Sequence, residues 1–313
     1  NLHRTSLLGF FGKLKYHLYK PFFLLYRTAA KLQLKNLQND QWRSAYKYND
    51  KINSSLILQE LIKINEDQIE GRNSVWEALR AGRPINKIYI KKGEHRGMII
   101  DIIDGAKKSG IPLLEIDEGA FLSMAQTPGH QGVLAKAASK DYDSVEDILK
   151  GARDLKQDPF ILILNELTDP QNFGSILRTA DGLGAHGIII PKHRACGITP
   201  TVAKISSGAV EYVKVARVTN ISRTMDELKK EGLWIIGADV DGKNYFEVDL
   251  TGPVALVIGG EDKGLGKLVK EKCDILVRIP LRGRITSLNA AVAASILGYD
   301  ILRQRLASHG QTT

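Results

Sequence analysis

The reading of the fold turns on Phe160-Ile-Leu-Ile-Leu-Asn165-Glu-Leu-Thr-Asp-Pro170-Gln-Asn-Phe-Gly-Ser175-Ile-Leu-Arg-Thr-Ala180-Asp181. Residues 160–164 form a short apolar run with the length of a buried strand. Pro170 fixes a turn, and apolar residues then recur at helical spacing from Gly174 to Leu183. Asn172 stands where an Asn commonly caps a helix. Arg178 lies among Ile176, Leu177 and Ala180, which predicts partial exposure and a need for an anionic partner. That partner is either internal, Asp181 or Glu261, or a phosphate or ribose of a ligand.

Working outward, the same alternation continues. Strand-like segments are read at Gly187–Ile190, Val213–Val215, Trp234–Ala238, Ala255–Ile258 and Ile275–Ile279. Helical patterns run from Ile221 to Glu231 and from Leu288 to about Leu306. Helices between successive strands predict a mostly parallel α/β sheet, with ligands bound beyond the carboxyl ends of its strands. Two more of those ends carry unusual residues. Gly259-Gly-Glu261-Asp-Lys-Gly-Leu-Gly266 allows close backbone approach, but it matches neither a Walker loop nor a dinucleotide fingerprint. Pro280-Leu-Arg282-Gly-Arg284-Ile-Thr-Ser287-Leu-Asn289 opens the last helix, with Ser287 as its expected cap and Asn289 in its first turn. Backbone amides there suit an anion or a polar cofactor group. Ala290, Ala291, Ala293 and Ala294 follow, which fits either core packing or a close helix interface.

Upstream, residues 66–140 read as a small α/β module. Helices are expected after Gly71, over Met98–Lys108 and over Glu118–Ala125, with strands at Ile88–Ile90, Leu113–Ile116 and Val133–Ala135. Residues 141–157 are polar and read as a linker with one short helix, Val145–Leu149. The chain has 313 residues and a formal charge of +9. Residues 1–65 hold eleven Lys or Arg against Asp40, Asp50 and Glu60, so this arm carries nearly all of that charge. It fits a targeting presequence, a nucleic-acid or membrane-surface arm, or an extraneous leader. Ile52–Ile64 has the spacing of a short helix.

Composition excludes several classes. No run of 18 apolar residues predicts a membrane span. Cys196 and Cys273 are too few for a disulfide scaffold, and no His stands at ligand spacing from them, so no metal site is expected. His193 reads as a loop residue.

The three strand-end segments, in this order, resemble the signature motifs of the SpoU, or TrmH, family of RNA ribose 2′-O-methyltransferases. Asn165 to Ala180 is similar to the first, with Asp169-Pro170 shifted by one place; Gly259-Gly260-Glu261 to the second; Ile279 to Asn289 to the third. Residues 69–137 resemble the L30e-like domain that often precedes this catalytic domain and helps to bind RNA. The resemblance implies a mostly parallel C-terminal sheet with a deep trefoil knot over residues 158–313, and S-adenosyl-L-methionine as cofactor. It also implies a homodimer through the knotted domain, in a cytoplasmic, bacterial-type setting, or in an organelle if the arm is a presequence.

The two-domain layout is similar to enzymes acting on a guanosine of large-subunit ribosomal RNA. Alternatives are a transfer-RNA enzyme, an antibiotic-resistance rRNA methyltransferase and a non-catalytic RNA-binding or ribosome-assembly protein. Carried over by position, Asn172, Arg178, Glu261, Ser287 and Asn289 match the active-site residues, and Gly259, Ile279 and Leu288 the backbone contacts to the cofactor. Arg194, Arg282, Arg284 and His130 are candidate RNA contacts. Arg178 is the base proposed in relatives; an arginine is almost always protonated, which leaves Glu261 as the rival. This sequence departs from the family at Leu281, where Met is usual, at Ala291, where Ser is usual, and at Asp262, where Gly is usual.

Overall fold

The computed structural model describes residues 66–93, 95–260, 264–284 and 286–308. The basic arm, the Ile52–Ile64 helix and Glu261 lie outside the described residues. Two sheets organise the rest.

The first sheet is mixed. Its strands are β1 (Glu66–Glu70), β2 (Ile85–Lys91), β3 (Leu113–Ile116) and β4 (Val133–Ala138), in the order β1-β4-β2-β3. β4 runs antiparallel to both neighbours, and β2 is parallel to β3. Helices α1 (Arg72–Arg80), α2 (Met98–Lys108) and α3 (Glu118–Met124) connect them. Ile99, Ile102 and Ala106 of α2 and Val75 and Ala78 of α1 close over Ile69, Ile88, Ile90, Val133 and Ala135. Strand β1 is not predicted by apolar patterning, because its residues, Glu-Asp-Gln-Ile-Glu, are four polar to one apolar. Both Gln68 and Glu70 are nevertheless buried there.

The second sheet is parallel throughout. It contains β5 (Phe160–Asn165), β6 (Gly187–Pro191), β7 (Val215–Val218), β8 (Trp234–Asn244), β9 (Val254–Gly259) and β10 (Ile275–Arg278), in the order β10-β8-β9-β5-β6-β7. Helices α4 (Val145–Asp154), α5 (Pro170–Gly182), α6 (Pro200–Ile205), α7 (Ile221–Lys230), α8 (Lys267–Lys272) and α9 (Ala290–Ser308) cover it. Alternate residues of each central strand enter opposite cores, as the two-residue period of a strand requires. Leu162, Leu164, Ile188, Leu256 and Ile258 meet α5, α6 and α9 on one face. Ile161, Ile163, Ile189, Ala255 and Val257 meet α4, α7 and α8 on the other.

Three sequence expectations change. Residues 141–157 are not a free linker. Asp143 pairs with the β7 edge, its amide donating to the Val215 carbonyl at 2.9 Å and its carboxylate accepting from the Val215 amide at 2.9 Å. Ser144 and Asp147 then form a capping box for α4. Ile148, Leu149 and Ala152 enter the core, and Ile148 fills the space over Gly187. Burial of an Ile or Leu contributes about 1.5–3 kcal/mol each, so the charged residues are simply the outer face of a core helix.

β7 begins where the predicted strand ended, since Ala209–Glu211 turns as a 3-10 helix just before it. β8 continues six residues past Ala238. It does so by bulging: Leu276 pairs with Gly237, yet Val277 pairs with Lys243. A side chain at Gly242 would lie 2.5 Å from the backbone of Leu276 and Val277. The short helices α6 and α8 are not predicted by the sequence; at six residues each they show too little periodicity to detect. No helix among the described residues is long and apolar enough to cross a membrane.

Candidate active site

Because all six strands are parallel, the segments after β5, β9 and β10 emerge on one edge of the sheet. Residues 279–289 run from the outer strand β10 back to α9, which packs against β9 and α5. This return brings the third sequence segment onto the first.

Asp169, not Asn172, caps α5. Its carboxylate accepts from the Gln171 amide at 3.1 Å and the Asn172 amide at 3.2 Å, and Pro170 occupies the first helical position. The Asn172 side chain is thereby freed for another use. It is buried, and its Oδ1 accepts from Asn289 Nδ2 at 2.8 Å. Asn289 in turn caps α9, its Oδ1 accepting from the Ala291 and Val292 amides at 2.9 and 3.2 Å. The expected cap, Ser287, is exposed instead. The two asparagines therefore tie the N-termini of α5 and α9 together, although 117 residues separate them. From that tie the helices run side by side in the same direction. Thr179 and Ser295 share a hydrogen bond at 3.0 Å, and Gly298 leaves room for Leu183. Both helix dipoles direct their positive ends at one place. A pocket of about 610 Å³ opens there, lined by Asp169, Gln171, Asn172, Ser175, Asn289 and Ser295 among others.

The glycine loop folds onto the same edge. Gly264 donates to the Gly260 carbonyl at 3.0 Å. A Cβ at Gly259 would collide with the Gly264 backbone, and one at Gly260 would lie 2.6 Å from the Glu166 carbonyl oxygen. A side chain at Gly259 would therefore open the glycine loop itself, and one at Gly260 would separate the first and second segments. Ile279 directly follows β10, and Leu281 and Leu288 are exposed apolar residues on the same return segment.

The arginines sort differently from expectation. Arg178 is exposed, not half-buried, and forms no ion pair or hydrogen bond among the described residues; the internal pairing with Asp181 is not made. Burial, together with the negative charge of Glu77 nearby, raises the Asp181 carboxyl above the ordinary range. Arg194 is engaged by Glu166 at 2.8 Å, with both residues in the left-handed backbone region, φ 56° and 60°. Arg282 and Arg284 are exposed. Burial pushes the Cys273 thiol up to about 11, so it stays protonated at neutral pH.

His130 is not at this edge. It sits in the Thr127–Gly132 turn of the first domain, tilted against Phe121 with ring centroids 4.9 Å apart. Its Nδ1 accepts from the Gly132 amide at 3.1 Å. That turn walls a second recess of about 880 Å³, lined by Arg72, Lys91, Lys92, His95 and Met98 among others. Sequence reasoning missed this recess, because its basic residues come from three separate segments with no shared spacing.

Comparison with known proteins follows this division. The SpoU rRNA Methylase family matches residues 159–299, and the RNA 2′-O ribose methyltransferase substrate binding family matches residues 68–143. The chain is 47% identical over 240 residues to a Bacillus subtilis (strain 168) protein that bears the name TrmH family tRNA/rRNA methyltransferase YacO. That alignment covers 76% of this chain and 96% of the relative. Among solved structures it is similar to the SpoU methyltransferase AviRb from Streptomyces viridochromogenes in complex with AdoMet. There the TM-score is 0.66 and the identity 26%, covering 78% of this chain and 92% of that one. It is likewise similar to the AdoMet-bound rRNA methyltransferase from Sinorhizobium meliloti, with TM-score 0.63, identity 25%, and coverage of 77% and 88%.

Proposed function

The chain belongs to the SpoU family of RNA ribose 2′-O-methyltransferases, and from that premise we propose that its substrate is a guanosine of large-subunit ribosomal RNA. It is an S-adenosylmethionine-dependent enzyme acting on RNA. The observation that carries the finer reading is the two-part layout, in which a basic recess and a methyl-transfer edge are held in one unit.

The described residues fit the cofactor. Leu281 and Leu288 offer uncovered apolar surface for an adenine ring, and the Gly259 and Ile279 backbones stand at the two strand ends beside it. S-Adenosylmethionine supplies, when bound, a methyl group already activated on a sulfonium, which requires no metal.

The chain's own residues must align the ribose oxygen with that methyl and accept its proton. Arg178, exposed and unpaired among the described residues, carries a charge suited to the phosphate beside the target ribose. Asn172 and Asn289 hold the two helix starts that frame the pocket. Glu261 and Ser287 complete the proposed catalytic set, and Arg282, Arg284 and Arg194 the RNA-facing rim. We read residues 279–289 as the knotted segment. Val292, which lines the pocket, and Tyr299, exposed two turns further along α9, are the face of a homodimer. The enzyme works in the cytoplasm, where its RNA is.

Radiolabelled methyl transfer from S-adenosylmethionine onto total RNA, followed by mapping, tests this reading. Label at a ribose of a large-subunit guanosine is the expected result. Label confined to transfer RNA overturns the substrate, and cofactor binding without label anywhere makes the chain a binding protein.

A further inference from the structure

The turn that walls the basic recess is not held by its own domain alone. Glu70, at the end of β1, is fully buried. Its carboxylate accepts from the Gln126 amide at 2.6 Å, the Thr127 amide at 2.9 Å, the Thr127 hydroxyl and the Gln68 side chain. Thr127 Oγ1 then accepts from Lys204 Nζ at 3.1 Å, and Lys204 belongs to α6 of the methyl-transfer domain. A Cβ on Gly129 would collide with the ammonium, so the turn leaves the lysine room only because residue 129 is a glycine. On the far side of the same turn, Arg72 accounts for Gln131: its amide donates to Gln131 Oε1 at 3.1 Å and its Nε to the Gln131 carbonyl at 3.2 Å. Gln131 and Gly132 are thereby held at φ 53° and 76°.

The two domains are also bolted elsewhere. Arg83, held at 2.6 Å by Asp67 of its own domain, pairs across the boundary with Glu211 at 2.7 Å, and Ser74 donates to the Ala203 carbonyl at 3.3 Å. A Cβ on Gly208 would collide with Glu77 of α1. With the domains already fixed by these interactions, the Lys204 hydrogen bond is not needed to join them. What it adds is the position of one wall of the recess.

We propose that Lys204 is a positioning residue for RNA recognition: from the methyl-transfer domain it sets the Thr127–Gly132 turn, so that recess and pocket keep one spacing. This rests on the reading of the chain as an RNA methyltransferase. A basic recess grips the phosphate backbone without reading sequence. The ribose that reaches the pocket is then chosen by the distance between the two, and Lys204 is a direct link between them.

The test measures binding of in-vitro transcribed large-subunit ribosomal RNA, methyl transfer and the mapped position for the full chain. Lys204→Met weakens RNA binding and raises KM for RNA about tenfold, with kcat within about twofold. Its S-adenosylmethionine affinity and Tm stay at the wild-type values. The modified position spreads to neighbouring riboses. Lys204→Arg, which keeps a donor for Thr127, restores most of the affinity. Gly129→Ala, which displaces the ammonium without removing it, reproduces the loss in part. Wild-type RNA affinity in both Lys204→Met and Gly129→Ala overturns the proposal. If the wild type binds RNA but transfers no methyl, the functional reading fails while the binding series still judges Lys204. If the wild type binds no RNA, both fail.

Discussion

The pocket after β5 and the recess beside β1 are each organised by one carboxylate, and the two carboxylates work in opposite surroundings. Asp169 stands at the start of α5 and satisfies two amides of the helix it caps. Glu70 is fully buried and satisfies two amides and a hydroxyl of a turn 56 to 57 residues away, together with the side-chain amide of Gln68. One is a local device that a sequence motif can announce. The other is a long-range device whose role exists only once the sheet has formed. The two carboxylates thus differ in reach: Asp169 acts within its own helix start, and Glu70 acts across the first domain.

The sharpest way to separate the two regions is Arg178→Ala. Methyl transfer falls by about 10²–10³-fold, roughly 3–4 kcal/mol of transition-state stabilisation. Cofactor binding, by calorimetry, and RNA binding at the recess both remain. Full turnover in that variant removes Arg178 from the mechanism.

Next comes Glu70→Ala, which leaves several buried donors without their acceptor and costs about 3 kcal/mol of stability, read from denaturant midpoints. The acid limb carries the same information. Burial by itself would raise the Glu70 carboxyl, but the Thr127 hydroxyl, the Gln126 and Thr127 amides and the Gln68 side chain together hold it below the ordinary value of 4.5. A lowered folded-state value means that the stabilisation is complete above 4.5 and is lost as pH falls beneath it. Glu70→Gln therefore flattens the loss of Tm below that point. An unchanged acid limb refutes the assignment.

Asp169→Ala tests the local device and costs about 1 kcal/mol, the ordinary worth of a helix cap. Its Tm shift is the smaller of the two carboxylate variants; the reverse order breaks the comparison. Smallest is Arg282→Ala with Arg284→Ala. Each removes one exposed cation from the rim and lowers the slope of log affinity against log salt by about one unit for each phosphate that is no longer neutralised. A slope equal to the wild type's takes both residues off the RNA.

The legible part of the fold follows the same division. Strands β5, β6 and β9 and helices α2, α5 and α7 can be placed from apolar spacing, because each buries a continuous stripe. The charged face of α4 disguises a core helix whose buried residues are only Ile148, Leu149 and Ala152. β1 is polar because its buried side chains bond to one another and to the turn rather than packing as hydrocarbon. In the site, the order of the three segments is readable, but the sharing of work within them is not. Which of Asp169, Asn172, Ser287 and Asn289 caps a helix depends on tertiary distance, and all four residues are of types that cap well. Lys204 carries no signal at all, since its partner Thr127 lies 77 residues away in another domain.

The tie between Asn172 and Asn289 has a consequence for the life of the chain. During synthesis the first domain and most of the parallel sheet emerge, and can fold, before Asn289 exists. Until α9 docks, α5 begins at an unfinished edge, and Asn172 has no amide from the last helix to receive. The nascent protein thus has its first-domain recess well before the pocket between α5 and α9 is complete. Completion of this edge is therefore a late event, reached only by chains in which α9 has been made and has docked.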